Sequence, residues 1–266
     1  MPFPRARAIE RVSSREALSP GHPVVISEAL GGPRALGAWT LARLRAEHGN
    51  AEVFVRESDA DAPQLFAGDP QRAFRFLRMP LAEVIDGFSC SEAPRRYVQM
   101  CDLARTLPHL AADIRAPGAV GKLYASPAYA WICAGGTVNP LHFDFNEILL
   151  AQVVGKKRLL LFPPEDSSKI AGLVERAIFR TTSLDFLRPD GARFPGLDRT
   201  TPYEAVIGPG EALFIPYRWW HAMVAPEPSV SVSWWWEPSR SAHIRHTVRQ
   251  RSADLMKILL RAVRVT

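Results

Sequence analysis

Apolar residues in the first hundred positions come in short blocks, each closed by a turn residue. Pro23 to Ser27 (PVVIS) reads as a short buried strand. Trp39 to His48 carries Leu41 and Leu44 one turn apart and stops at Gly49, which predicts a helix. Ala51 to Arg56 (AEVFVR) alternates with period two and predicts a strand. Ser91 to Leu107 reads as a second helix, stopped by Pro108. From Ala130 the texture changes to strands with sharp turns. Ile148 to Val154 and Lys157 to Phe162 flank Gly155-Lys156 and predict a β-hairpin that Pro163-Pro164 ends. After a long polar connection, Ser167 to Arg199, a second strand pair is expected from Tyr203 to Ile207 and Ala212 to Ile215, around Gly208-Pro209-Gly210. Val230 to Trp236 predicts a last strand, and Arg240 to Arg264 an amphipathic helix. The chain therefore reads as mainly β with flanking helices (α+β), built on a closed barrel or jelly roll.

Composition narrows the setting. With 47% hydrophobic and 23% charged residues, the 266-residue chain suits one large domain, or one domain with appendages, that buries a full core without disulfides. Its three cysteines, Cys90, Cys101 and Cys133, show no paired spacing and form neither a disulfide framework nor a zinc motif, which favours a reducing, cytoplasmic location. Met1 to Glu10 has no apolar stretch of the signal-peptide kind, and no apolar run approaches the roughly 18 residues of a membrane span. The net charge of +6 is concentrated in residues 239–266, where Arg240, Arg245, Arg249, Arg251, Lys257, Arg261 and Arg264 face a single acid, Asp254. The remaining body, residues 1–238 with a barrel core from about 120 to 238, is neutral, which argues against a specific nucleic-acid binder. The basic tail either contacts an acidic partner or presents a solvated face.

Chemistry gathers in the second half. His142-Phe143-Asp144 places an imidazole and a carboxylate two residues apart, hence on one face of a strand. His221, after the strand that ends at Pro216, is the best third ligand, the alternative being a core histidine packed beside Trp219 and Trp220. Two His and one carboxylate make the facial set used by non-haem Fe(II) oxygenases, which leaves positions open for co-substrate and O2. Lys157 shares its strand face with Leu159 and Leu161, while Arg158 and Leu160 face the other way. An inward lysine in a small barrel needs an anion, and a dicarboxylate that chelates the metal at one end supplies one at the other. The competing reading lets Lys157 reach out to the barrel rim. Most of Trp219, Trp220, Trp234, Trp235 and Trp236 are assigned to core.

The stretches NPLHFDFNEILLAQVVGKKRLLLFPPED (Asn139 to Asp166), YEAVIGPGEALFIPYRWWHAM (Tyr203 to Met223) and SVSVSWWW (Ser229 to Trp236) resemble, in register, the JmjC-type cupin oxygenases. The resemblance is to the hydroxylase branch typified by factor inhibiting hypoxia-inducible factor. It implies a double-stranded β-helix with Fe(II) on His142, Asp144 and His221. It further implies 2-oxoglutarate and O2 as co-substrates, with Lys157 and Tyr97 on the distal carboxylate and Gln99 against substrate. Three positions depart from the branch: Asn139 stands where Thr is usual, and Ile148 and Ser233 stand where Asn is common. Asn139 can still donate a hydrogen bond to the co-substrate, and Ser233 lies at the same site.

The expected activity is 2-oxoglutarate-dependent hydroxylation of an unactivated C–H bond on a protein or peptide side chain. A small-molecule or natural-product substrate is the first alternative, and a cupin-like binding protein with weak turnover the second. Histone demethylation is disfavoured by the lack of zinc-binding cysteines, and a zinc hydrolase leaves Lys157 without a role. The connection from Ser167 to Arg199 is expected to line a substrate groove. Ile244, Val248, Leu255, Ile258, Leu259 and Ala262 form an apolar stripe on the last helix, expected to pair two chains as a homodimer or to fold back on the barrel.

Overall fold

The computed structural model describes residues 6–13, 21–30, 36–37, 39–58, 75–90, 94–112, 114, 127–170 and 180–238. The expected helix from Arg240 to Arg264 lies outside the described residues. Within them run the strands β1 (Arg7–Ala8), β2 (Arg11–Val12), β3 (Val24–Ile26), β4 (Glu52–Ser58), β5 (Arg75–Pro80), β6 (Arg95–Asp102), β7 (Tyr129–Cys133), β8 (Thr137–Phe143), β9 (Glu147–Val154), β10 (Lys157–Phe162), β11 (Arg180–Thr181), β12 (Tyr203–Ile207), β13 (Ala212–Ile215), β14 (Trp220–Ala225) and β15 (Ser229–Trp236). They make a six-stranded sheet, β1-β12-β10-β14-β8-β11, and a nine-stranded sheet, β2-β3-β13-β9-β15-β7-β6-β4-β5. Facing each other, the two sheets form a jelly roll of the α+β class, as the strand-and-turn texture predicts.

Alternation sorts the side chains into layers. Between the sheets, Leu159, Leu161 and Met223 of the smaller meet Ile148, Leu150 and Ile215 of the larger. On the outer face of the larger sheet, Val55, Val98, Val232 and Trp234 pack against Leu44 of helix α1 (Leu41–His48) and Val84 of helix α2 (Leu81–Asp86). Helix α1 starts at Leu41, two residues inside the expected Trp39, because the Thr40 side chain accepts from Arg43 N at 3.2 Å and caps the first turn there; it ends at His48 as expected. On the outer face of the smaller sheet, Phe162 and Trp220 are covered by Leu184, Phe186 and Phe194. Within the described part of the connection, residues 167–170 and 180–199, these apolar residues serve as cover for the sheet, which its reading as a polar stretch did not anticipate. Its apolar residues are too widely spaced to register as an element. β11 pairs Thr181 with His142, and just beyond it Thr182 N donates to Leu141 O at 3.1 Å.

Three local readings are also corrected. Neither predicted hairpin forms. β9 lies in the larger sheet, between β13 and β15, whereas β10 lies in the smaller, between β12 and β14. The Gly155-Lys156 turn thus carries the chain from one sheet to the other, and Gly208-Pro209-Gly210 does the same between β12 and β13. A short turn between two apolar strands has the same local pattern whether the strands pair with each other or with outside partners, so the long-range ladder decides. Gly155 suits the crossing, at φ +66° and with the Pro228 carbonyl oxygen against the place a Cβ would take. Of the stretch Ser91 to Leu107 read as a helix, the described residues form β6 over Arg95–Asp102, followed by short helical turns at Leu103–Thr106 and Pro108–Ala111. Pairing on both sides, with β4 and β7, overrides its local helical pattern, and a bulge falls between Val98 and Cys101.

Candidate active site

Register across the smaller sheet arranges the polar residues in rows. His142 of β8 stands opposite His221 of β14, which stands opposite Leu161 of β10. The next inward-facing row is Asn139, Met223 and Leu159. Asn139 lies three residues from His142, an odd spacing that would put the two on opposite faces. The bulge between His221 and Met223 absorbs the extra residue and returns Asn139 to the inner face. Two residues beyond Leu159, Lys157 opens β10 on that same face. It lies four residues, about 13 Å, from the row of histidines.

The three ligand-type residues converge. Nitrogen and oxygen atoms of His142, Asp144 and His221 lie within 4.8 Å of one another, and among the described residues this is the one group of three or more His, Cys, Asp or Glu so disposed. Asp144 Oδ2 is 3.9 Å from His142 Nε2 and 3.6 Å from His221 Nε2. Each imidazole is held from behind: His142 Nδ1–H donates to Pro140 O at 2.7 Å and His221 Nδ1–H to Trp219 O at 3.0 Å. That tautomer leaves both Nε2 lone pairs directed at the carboxylate, the arrangement a metal ligand needs. Burial, followed by the neighbouring His142, pushes the His221 pKa down to about 4, so this imidazole is neutral and available as a ligand. Asp144 follows the end of β8, where its backbone carbonyl accepts from Arg218 N at 3.2 Å in the turn leading into β14. Phe143 points to the outer layer and packs edge-on against Trp220, with centroids 4.8 Å apart. The ligand strand is thereby braced from outside.

At the other end of the inner face Lys157 is 2% exposed, and among the described residues its Nζ has no hydrogen-bond partner. It does not reach the rim. Burial pulls its pKa below the ordinary lysine value, with the Cys133 thiol opposing that shift. Nζ sits 5.9 Å from the centre of the Tyr97 ring, and Tyr97 packs with Cys133, Ala225 and Trp131. Burial raises the Tyr97 pKa, keeping it a protonated phenol that can donate. A buried ammonium without a partner is costly, and an anion entering between Lys157 and the histidines would satisfy it. The residues present fit a metal-chelating dicarboxylate.

The remaining predicted residues have definite places. Gln99 is half-buried in β6, two residues beyond Tyr97 at the bulge. Ile148 faces inward as core. The Ser233 Oγ accepts from two indoles, Trp131 Nε1 at 2.7 Å and Trp235 Nε1 at 3.0 Å, so its hydroxyl is already engaged. Four of the five clustered tryptophans are core, while Trp235 is half-buried and stacks on Trp131. Sequence reading passed over Arg56, which is 8% exposed on the inner face of β4, opposite Tyr97 and with its guanidinium 5.0 Å from that ring's centre. The alternation of AEVFVR marks Arg56 as facing away from Val53 and Val55, and nothing local shows that another sheet covers it.

A family model described as a cupin-like domain matches residues 10–242. Lysine-specific demethylase 8 of Danio rerio is 36% identical over 144 residues, covering 53% of this chain and 36% of that protein. The bifunctional peptidase and (3S)-lysyl hydroxylase JMJD7 of Homo sapiens is 29% identical over 257 residues, covering 84% of this chain and 79% of the relative. The tRNA wybutosine-synthesizing protein 5 of Danio rerio is 27% identical over 238 residues, covering 82% and 70%. Against lysine-specific demethylase 8 of Danio rerio and of Xenopus tropicalis, the match spans 36% and 32% of the relative's length.

Proposed function

The chain belongs to the cupin-like domain family, and from that premise we propose that it is an Fe(II)- and 2-oxoglutarate-dependent oxygenase that hydroxylates a C–H bond on a protein or peptide side chain. His142, Asp144 and His221 would hold the iron, leaving open positions for 2-oxoglutarate and O2. Bound there, iron supplies the activation of O2 that couples decarboxylation of 2-oxoglutarate, to succinate and CO2, with conversion of C–H to C–OH. This chain's own residues bind and orient. Lys157 pairs with the distal carboxylate, Tyr97 donates to it from β6, and Asn139 donates from β8. Ser233, with Trp131 and Trp235, forms a wall of the co-substrate chamber, and Gln99 stands on the substrate side of Tyr97. The observation that carries the reading is the coincidence, on one inner face, of a three-residue ligand cluster and a buried ammonium without a partner.

Support for a peptide substrate comes from the (3S)-lysyl hydroxylase, which aligns over 84% of the chain. A second reading, a nucleoside in RNA, is favoured by the tRNA wybutosine-synthesizing relative, which aligns over 82%. Incubation with Fe(II), 2-oxoglutarate and O2 tests both. Succinate release should depend on the iron, and mass spectrometry of a peptide library should find a gain of one oxygen. Oxygen gained by tRNA nucleosides alone would select the second reading, and succinate release that persists in His221→Ala would overturn the oxygenase proposal.

The unpaired thiols Cys101 and Cys133, both buried, are compatible with a cytoplasmic setting. Among the described residues no helix is long and apolar enough to cross a membrane. We assign residues 1–238 to the oxygenase body and 239–266 to a basic segment through which two chains pair. The support for pairing is its sequence pattern alone.

A further inference from the structure

Asn139 is an amide on the inner face, one row from the histidines in the direction of Lys157. An amide turns either its oxygen or its NH2 toward a ligand, and only the NH2 helps bind a carboxylate. Something must therefore set its orientation. Arg56 has the position and the chemistry to do so. It reaches from the larger sheet across to β8, where Nη1 donates to Asn139 Oδ1 at 3.4 Å and Nη2 donates to Val138 O at 3.3 Å. A guanidinium has donors and no acceptor, so the atom it faces on Asn139 must be the oxygen. The amide NH2 then points the other way. Arg56 is itself fixed, being almost fully buried, directly opposite Tyr97 across the strand pair and lying over the Tyr97 ring.

We propose that Arg56 is a positioning residue for 2-oxoglutarate, holding the Asn139 amide with its NH2 toward the distal carboxylate. This rests on the oxygenase reading of the site. It also ties two positions together: an amide at residue 139 needs the arginine, whereas a hydroxyl there would rotate to suit its acceptor and would not.

The test is binding without turnover, with Mn(II) in place of Fe(II), followed by tryptophan fluorescence and by the ligand-induced shift in melting temperature. Two ligands are compared: 2-oxoglutarate, and 2-oxopentanoate, which keeps the 2-oxo acid and lacks the distal carboxylate. Arg56→Met should weaken 2-oxoglutarate about tenfold, the scale of one hydrogen bond to a charged group, and leave 2-oxopentanoate unchanged. In an Asn139→Thr background the same substitution should cost little for either ligand. Arg56→Lys, with a single ammonium in place of the fork, should fall between. If Arg56→Met does not fold, Asn139→Leu keeps the arginine and removes the amide, and it should show the same selective loss. Three results overturn the proposal: equal loss for both ligands, full 2-oxoglutarate affinity in Arg56→Met or Asn139→Leu, or an undiminished cost of Arg56→Met in the Asn139→Thr background. Failure of the parent reading looks different: wild-type protein and Lys157→Met would bind both ligands equally well.

Discussion

Replacing Lys157 by Met should move stability and affinity in opposite directions. The side chain is 2% exposed and its Nζ has no partner, so the protein without ligand carries an uncompensated buried donor. Met has similar length and volume and no charge. Leaving a buried polar group unsatisfied costs about 1–3 kcal/mol, so ligand-free Lys157→Met should be more stable by that amount. For a chain of this size that corresponds to a melting temperature higher by roughly 2–10 °C. The pH dependence has a definite sign. Burial lowers the folded pKa below the unfolded value of 10.5, so between the two the unfolded chain binds more protons and stability rises with pH. The gain from Met is therefore largest below the folded pKa and shrinks as pH climbs toward 10.5. Affinity for 2-oxoglutarate should fall roughly 10- to 150-fold, the worth of a charge-assisted pair. Scanning calorimetry of the metal-free protein and titration calorimetry with Mn(II) and 2-oxoglutarate measure the two effects. A less stable Met variant would refute the orphan-charge argument, and an unchanged 2-oxoglutarate isotherm would place the distal carboxylate elsewhere.

Asp144→Ala and His221→Ala should each lose stoichiometric Fe(II) binding by equilibrium dialysis while keeping the wild-type far-ultraviolet circular dichroism, because each supplies one of three ligand atoms while the strand ladders around them hold the fold. Gly155→Ala should destabilise by about 2–4 kcal/mol in chemical denaturation, since a positive φ and a steric clash with the Pro228 carbonyl act together. A loss below about 1 kcal/mol would mean the crossing turn relaxes freely. Ser233→Ala should cost about 1–3 kcal/mol by stranding two indole N–H donors, and should shift tryptophan emission as Trp131 and Trp235 repack. Unchanged stability and emission would mean water replaces the hydroxyl without cost. Truncation after residue 238 should halve the light-scattering mass if the basic segment pairs two chains, and a full-length protein already monomeric at micromolar concentration would contradict that pairing.

The sequence made the inner face of the barrel far more legible than its connectivity. Period-two alternation places Lys157, Leu159 and Leu161 on one face, and they lie together between the sheets. It cannot say which strands pair, because β9 and β10 look like a hairpin locally and are separated only by ladders to β13, β15, β12 and β14. The same limit hid β6, whose alternation is broken by the bulge after Val98. At the site, His142 and Asp144 are visible as a pair because two residues suffice to set their face. Arg56 was not visible. Its role depends on β8 crossing over it from the other sheet, a contact between residues more than eighty positions apart. Likewise, that the Ser233 hydroxyl is engaged by two indoles depends on Trp131 of β7 and on Trp235 two residues further along β15, and the short side chain at residue 233 gives no sign of it.

The most direct measurement is the visible absorption of the protein with Fe(II) and 2-oxoglutarate under strict anaerobiosis, followed by admission of O2. A weak charge-transfer band should appear only when protein, iron and 2-oxoglutarate are all present, should be absent from His221→Ala, and should need far more 2-oxoglutarate in Lys157→Met. Its decay on admitting O2 should release succinate in step. No band at saturating iron and 2-oxoglutarate, or a full band in His221→Ala, would contradict the assignment of this inner face as an oxygenase site.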